Sequence, residues 1–425
     1  MIHRLKDPKL KPYACALILF TLNLLIAWRL FWVEFTTHMN SNEGTFMAVS
    51  RFLVENGFHF DWFPYWMNGI PFENTYSPLV QIMNALVSVA THWSAARAFH
   101  FTLAFFYCLG PCLLFLFAWR ITGLLRISFL AALLYSLFSP STMYGPVRGD
   151  VGGWSYPRRL HTMVAYGEAA HNIVLALLPL ALLLIWLAVT RKQWHWNLLA
   201  GCSMAVLVLM NAFAAVDLGL ATACLVAFYG GFKRMLLIGP AAYLSICPFL
   251  TPSLIQTIRK DSALSGFHVT SAALRVDALI VSGAILIWFW LRRRSPFDGL
   301  VLSLAWIFTV IASFAHWFGI AVLPQSERYH LEMELTICLA FVFAIRSLLR
   351  PMGTGILIGV LATQFLVYRT YARELIKKND ITNSVEYRLA RWIGTNLPGK
   401  RIMAGGEFGF WFNVFADNAQ FKGGH

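Results

Sequence analysis

Apolar runs of about 20 residues, separated by short connectors carrying arginine and lysine, recur along this chain and make lipid its main solvent. In hydrocarbon every backbone N–H and C=O must be satisfied internally, so such runs predict spanning helices. Hydrophobic residues fill 58% of the 425 positions, which excludes an ordinary soluble enzyme and a disordered chain. The formal net charge of +14 does not point to nucleic acid, because many of the basic residues lie in short loops between apolar runs. All seven cysteines sit inside those runs with no CxxC spacing, and they read as small hydrophobes.

Eleven spans are expected, at about 13–33, 96–119, 127–145, 171–190, 197–213, 215–231, 235–254, 276–291, 299–319, 333–349 and 352–368. The apolar stretch 78–91 is too short to cross. Gln81, Asn84, Ser88 and Thr91 draw one polar stripe along it, which suits a helix lying in the interface. Loop charge supports leaving it out. With the N-terminus cytoplasmic and retained as a first span, the even-numbered connectors hold Arg120/Arg126, Arg191/Lys192, Lys233/Arg234, Arg292-Arg293-Arg294 and Arg346/Arg350. Counting 78–91 as a span would place all five outside. The run 198–232 reads as a tight hairpin with Asn211 to Asp217 at its outer tip.

The expected domains are a membrane domain over 1–368, containing a large first extracytoplasmic loop (34–95) with interfacial helices, and a small mixed α/β extracytoplasmic tail (369–425). In the tail Ser384 to Trp392 reads as helix and Arg401 to Ala404 as strand. Its small size suggests a truncated version of a longer protein. Further outer loops fall at about 146–170, 255–275 and 320–332, and the chain belongs in a cell (inner or plasma) membrane.

Polar chemistry gathers on the outer side, where function in such a protein is to be sought. Glu43 follows the first span. It is either a general base or metal ligand, or an acid favouring the start of a helix capped by Asn42. The second loop holds Arg148, Asp150, Arg158, Arg159, His161, Glu168 and His171, either as a phosphate-binding acid/base surface or as surface ion pairs. His161 and His171 lack zinc-site spacing. In Pro324 to Glu332, Arg328 meets an anionic lipid-linked ligand or forms an i,i+4 pair with Glu332. Asn211 and Asp217 either line the same cavity or solvate a tight turn, and the turn is the simpler reading. Trp62 and its aromatic neighbours either stack on a sugar or form an interfacial belt. No Walker loop, GxSxG elbow or dinucleotide fingerprint is present, so a pre-activated lipid substrate fits better than ATP.

With an acid in a large first loop, an interfacial helix introduced by Tyr76-Ser77-Pro78-Leu79 and Ala95-Ala96-Arg97 opening the second span, the chain resembles the GT-C superfold of polytopic glycosyltransferases. More narrowly it resembles the bacterial "6-pyruvoyl-tetrahydropterin synthase-related" membrane proteins. The matching pieces are Asn42-Glu43-Gly44, Trp62-Phe63-Pro64, Gly69-Ile70-Pro71, Pro324 to Tyr329, Arg401-Ile402 and Gln420 to Gly423. The superfold often has aspartate where this chain has Glu43, and no paired-acid motif stands in the second loop beyond Asp150. The resemblance implies transfer of a sugar from a polyprenyl-phosphate donor to an extracytoplasmic glycan, lipid or protein acceptor. Glu43 and Asp150 would be catalytic, and Arg328, Arg158, Arg159, His330, Trp62 and Tyr76 would bind substrate. Mg²⁺ or Mn²⁺ could bridge Glu43 and phosphate. The alternative is a non-enzymatic transporter, flippase or binding protein for a lipid-linked saccharide.

Overall fold

The computed structural model describes residues 10–75, 78–191, 193–264 and 270–423, so Tyr76 lies outside the described residues. In chain order the helices are α1 (Lys11–Ala27), α2 (Ser41–Glu55), α3 (Leu79–Thr91), α4 (Ala95–Thr122), α5 (Leu125–Leu137), α6 (Gly145–Val151), α7 (Arg158–Ala165), α8 (Ala169–Arg191) and α9 (Trp194–Met210). They continue as α10 (Ala214–Tyr229), α11 (Phe232–Ile246), α12 (Pro252–Leu264), α13 (Ser271–Leu291), α14 (Pro296–Phe318), α15 (His330–Ala344), α16 (Pro351–Leu375), α17 (Val385–Asn396) and α18 (Gly406–Phe415). A two-stranded antiparallel hairpin, β1 (Trp62–Phe63) with β2 (Ile70–Pro71), lies between α2 and α3.

This is an all-α polytopic membrane protein. Six helical stretches, Lys11–Phe31, Ala95–Thr122, Ala169–Arg191, Ser271–Leu291, Pro296–Phe318 and Pro351–Leu375, are long and apolar enough to cross a membrane by length and composition. Each of the eleven expected segments contains a helix, but α5, α9, α10, α11 and α15 are shorter, at 13 to 17 residues. The outward faces agree with a lipid surrounding. On α13 and α16, Leu286, Phe289, Trp290, Ile356 and Val360 are all exposed, a pattern that suits a surface facing lipid.

At the centre α4 crosses α8 and α1. Gly110 permits the approach, since a Cβ there would lie 3.2 Å from Ala176. Arginines in the basic connectors close helix ends: Arg126 donates to Leu349 O at 2.7 Å, and Arg346 pairs with Asp298 at 2.7 Å. Most of the polar stripe of α3 faces the protein: Gln81, Asn84 and Ser88 are buried, Thr91 at the end of the helix is exposed, and Leu86 and Val89 point outward.

The tail is also unlike its expectation. Ser384 caps α17 by accepting from Tyr387 N, as a helix there requires. The expected strand at Arg401–Ala404 reduces to a single bridge, Ile402 with Gln420, because no further backbone pairs alongside it. Instead of forming its own core, the tail docks on the first loop. Gln420 N donates to Tyr65 O (2.7 Å), Met67 N to Lys422 O (3.2 Å), and Trp411 Nε1 to Met39 O (2.8 Å). Gly44 on α2 lies under α18, where a Cβ would come 2.9 Å from Phe410 O.

Candidate active site

The cap of α2 is Asn40, whose side-chain oxygen accepts from Asn42 N at 3.0 Å. Asn42, expected as the cap, instead donates from its amide to Tyr166 O at 3.0 Å, and Asn40 donates to Ala165 O at 3.2 Å. These bonds fasten the first loop to the end of α7. One residue further, Glu43 turns inward and is only 2% exposed. Its Oε1 lies 3.1 Å from His100 Nε2, too oblique for a hydrogen bond, while His100 Nδ1 is 3.1 Å from Glu34 O. Gly167, in the left-handed region at φ +61°, closes over this corner.

In the second loop Asp150 gathers three partners. The Arg158 guanidinium and the Tyr166 hydroxyl both donate to it, and His161 Nε2 lies 3.5 Å away. Burial raises the Asp150 carboxyl, but the Tyr166 and Arg158 bonds outweigh it and hold the group below the ordinary carboxylate range. Burial pushes His161 down to about 4 against the pull of Asp150, so the ring is neutral at pH 7. Neutrality fits its contacts, with Nε2 facing the carboxylate and Nδ1 at 2.5 Å from Tyr371 Oη.

Arg158 then reaches the fourth loop. Its Nε donates to His330 Nε2 at 3.1 Å, which makes that nitrogen the bare one. The proton therefore sits on His330 Nδ1, which donates to Glu327 O at 2.5 Å. The same carbonyl is 3.0 Å from His316 Nε2. Arg328 pairs with Glu168 at 3.2 Å, not with Glu332, which instead meets His171 Nε2 at 2.5 Å.

Between these loops opens a cavity of about 380 Å³. Asn40, Ser41 and Asn42 line one side, Arg158, Thr162, Tyr166, Glu168 and His171 another, and His316, Glu327, Arg328, His330 and Leu331 a third. Among the residues expected to bind substrate, Arg158, Arg328 and His330 are thus brought together. Asp150 stands one bond behind, through Arg158 and Tyr166. Glu43 and Arg159 do not line the cavity. Arg159, next to Arg158 but rotated about 100° around the helix, is buried between Tyr107 and Tyr135, 4.3 and 4.4 Å from their rings. It donates to Asn23 Oδ1 at 3.3 Å and acts as a cation inside the bundle, so the two arginines do not form a phosphate pair. Trp62 is exposed on the hairpin, its indole against Gly69, and does not line the cavity either.

The metal expectation does not fit. Among the described residues no group of three or more His, Cys, Asp or Glu side chains is placed to hold an ion, and Glu43 has an imidazole beside it where a hard cation needs oxygens. One contributor went unnoticed in the sequence. His316, which lines the cavity, sits near the end of an apolar run. An ionisable residue within a span was the available signal.

No protein-family model and no curated protein sequence matches this chain. Its structure is similar to that of the Archaeoglobus fulgidus oligosaccharyltransferase. The complex of that enzyme with Zn and sulfate superposes with a TM-score of 0.60 at 12% identity, over 96% of this chain and 62% of that one. The apo form gives 0.62 at 10% identity, covering 99% and 65%. The same organism's AglB in complex with an inhibitory peptide and a dolichol-phosphate gives 0.62 at 12%, covering 98% and 64%. The chain therefore has the GT-C fold and spans less than two thirds of the length of these structures.

Proposed function

We propose that this protein is a membrane glycosyltransferase that moves a sugar from a polyprenyl-phosphate donor to an extracytoplasmic acceptor, in the inner or plasma membrane with its N-terminus cytoplasmic. The observation that carries the reading is the convergence of Arg158, Arg328 and His330 on one cavity walled by the start of α2. Two guanidiniums facing one space suit a phosphate better than a neutral solute. The shared fold supports this, since one archaeal neighbour was captured with a dolichol-phosphate.

In this reading an acceptor oxygen attacks C1 of the sugar, the C1–O bond to phosphate breaks, and the lipid phosphate leaves with the bonding electron pair. Arg158 and Arg328 stabilise the charge that develops there. The acceptor proton passes to the Tyr166 hydroxyl oxygen, which lines the cavity, as that hydroxyl's own proton moves to the ionised Asp150, and Arg158 holds the carboxylate in place. Glu43 shapes the site by holding the first turn of α2 against His100. The narrower likeness to the "6-pyruvoyl-tetrahydropterin synthase-related" proteins rests on the short motifs quoted above.

The test is transfer of radiolabelled sugar from polyprenyl phosphate in proteoliposomes. Arg328→Ala, exposed enough to leave folding intact, is expected to lower turnover by about 10²–10³, the usual cost of one preorganised charge donor. Undiminished transfer by an Arg158→Ala/Arg328→Ala double variant overturns the assignment.

A further inference from the structure

Beside the polar cavity lies a smaller one of about 20 Å³, room for roughly one small polar group. His171 and Arg328 line both, so the two adjoin. Three buried oxygens of residues lining the small space, Asp217 Oδ1, Glu332 Oε2 and Tyr329 Oη, have no hydrogen-bond partner among the described residues. Asp217 is 4% exposed and Glu332 1%. Orphaned oxygens of this kind are costly, and three around one space ask for a donor. Asn211 lines it as well, so the tip of the α9–α10 hairpin faces a cavity and does more than solvate a turn.

The charges indicate which donor. His171 answers Glu332 at 2.5 Å and Arg328 answers Glu168 at 3.2 Å, which leaves Asp217 with no ion pair of its own among the described residues. What completes the site carries one positive charge, several N–H donors and the bulk of about one heavy atom. We propose that this space is a subsite for a primary ammonium group, carried by a substrate held in the adjoining cavity. An ammonium has three N–H bonds for the three oxygens, and its charge matches Asp217. That the carrier is a substrate rests on the function proposed above; the binding itself does not.

The experiment measures Tm of the purified full chain against methylammonium chloride, with tetramethylammonium chloride and sodium chloride at equal ionic strength. A saturable rise with methylammonium alone is expected, by linkage to the folded state. Asp217→Asn, which keeps the shape, should abolish the rise, and Tyr329→Phe should weaken it. Equal shifts with tetramethylammonium, a shift reproduced by sodium (an inorganic cation site), or no shift in the wild type each overturn the subsite. Binding of methylammonium by a chain that transfers no sugar would break the functional reading and keep this one. Transfer without binding would do the reverse.

Discussion

Two carboxylates stand near the start of the cavity, and their surroundings are opposite. Glu43 is sealed under Gly167 with the His100 imidazole 3.1 Å away, and among the described residues its Oε1 makes no hydrogen bond. Asp150 keeps 28% of its side chain exposed and receives donors from Arg158 and Tyr166. A carboxylate that must accept a proton from a substrate needs a path to it and must be ionised when it acts. The second corner has both, and the first has the enclosure of a structural post. The position of an acid along the chain did not separate the two; the donors around it do.

The sharpest way to break this contrast is to neutralise each acid without changing its shape. Asp150→Asn should lower sugar transfer by about 10²–10⁴, the range of a positioned base. Glu43→Gln should fall well short of that in turnover. If single-turnover assays show the two losses interchanged, the roles are interchanged too. Next in size is the seal. Gly167→Ala puts a Cβ about 2.9 Å from the Glu43 backbone nitrogen at a left-handed φ, so a loss of about 1–3 kcal/mol in urea unfolding is expected. An unchanged midpoint would show that the corner yields easily.

The smallest effect distinguishes the corners by pH. His161, beside Asp150, has its folded-state value lowered from 6.5 to about 4. The unfolded chain then binds the extra proton between those values, so the stability from keeping this ring neutral is present above pH 6.5 and is lost as pH falls toward 4. His161→Gln should flatten Tm against pH across that window. A slope as steep as in the wild type would place the acid sensitivity elsewhere.

Much of the fold was legible before any coordinates, because lipid imposes long apolar helices and basic connectors. The gathering of Arg158, Arg328 and His330 could be anticipated only as three residues in outer loops. Which way each faces depends on helix rotation, and one residue of rotation sends Arg159 into the bundle between two tyrosines. The same geometry hid Glu43, whose place one residue past Asn42 turns it from the cavity toward His100. Asp217 was visible but undervalued, since a hairpin tip reads as solvated until the loop carrying Arg328 and Tyr329 is folded against it. The strand at Arg401–Ala404 had β-like composition but only one residue's worth of pairing partner.

The docking of the tail on the first loop carries a rule of parity. Thr36, just past α1, bridges Lys378, just past α16, and Asn379 N donates to Phe35 O at 2.9 Å. Backbone ladders do not form across a bilayer, so the exits of these two helices share one face. The chain must therefore traverse the membrane an even number of times between them, whichever of the shorter helices take part.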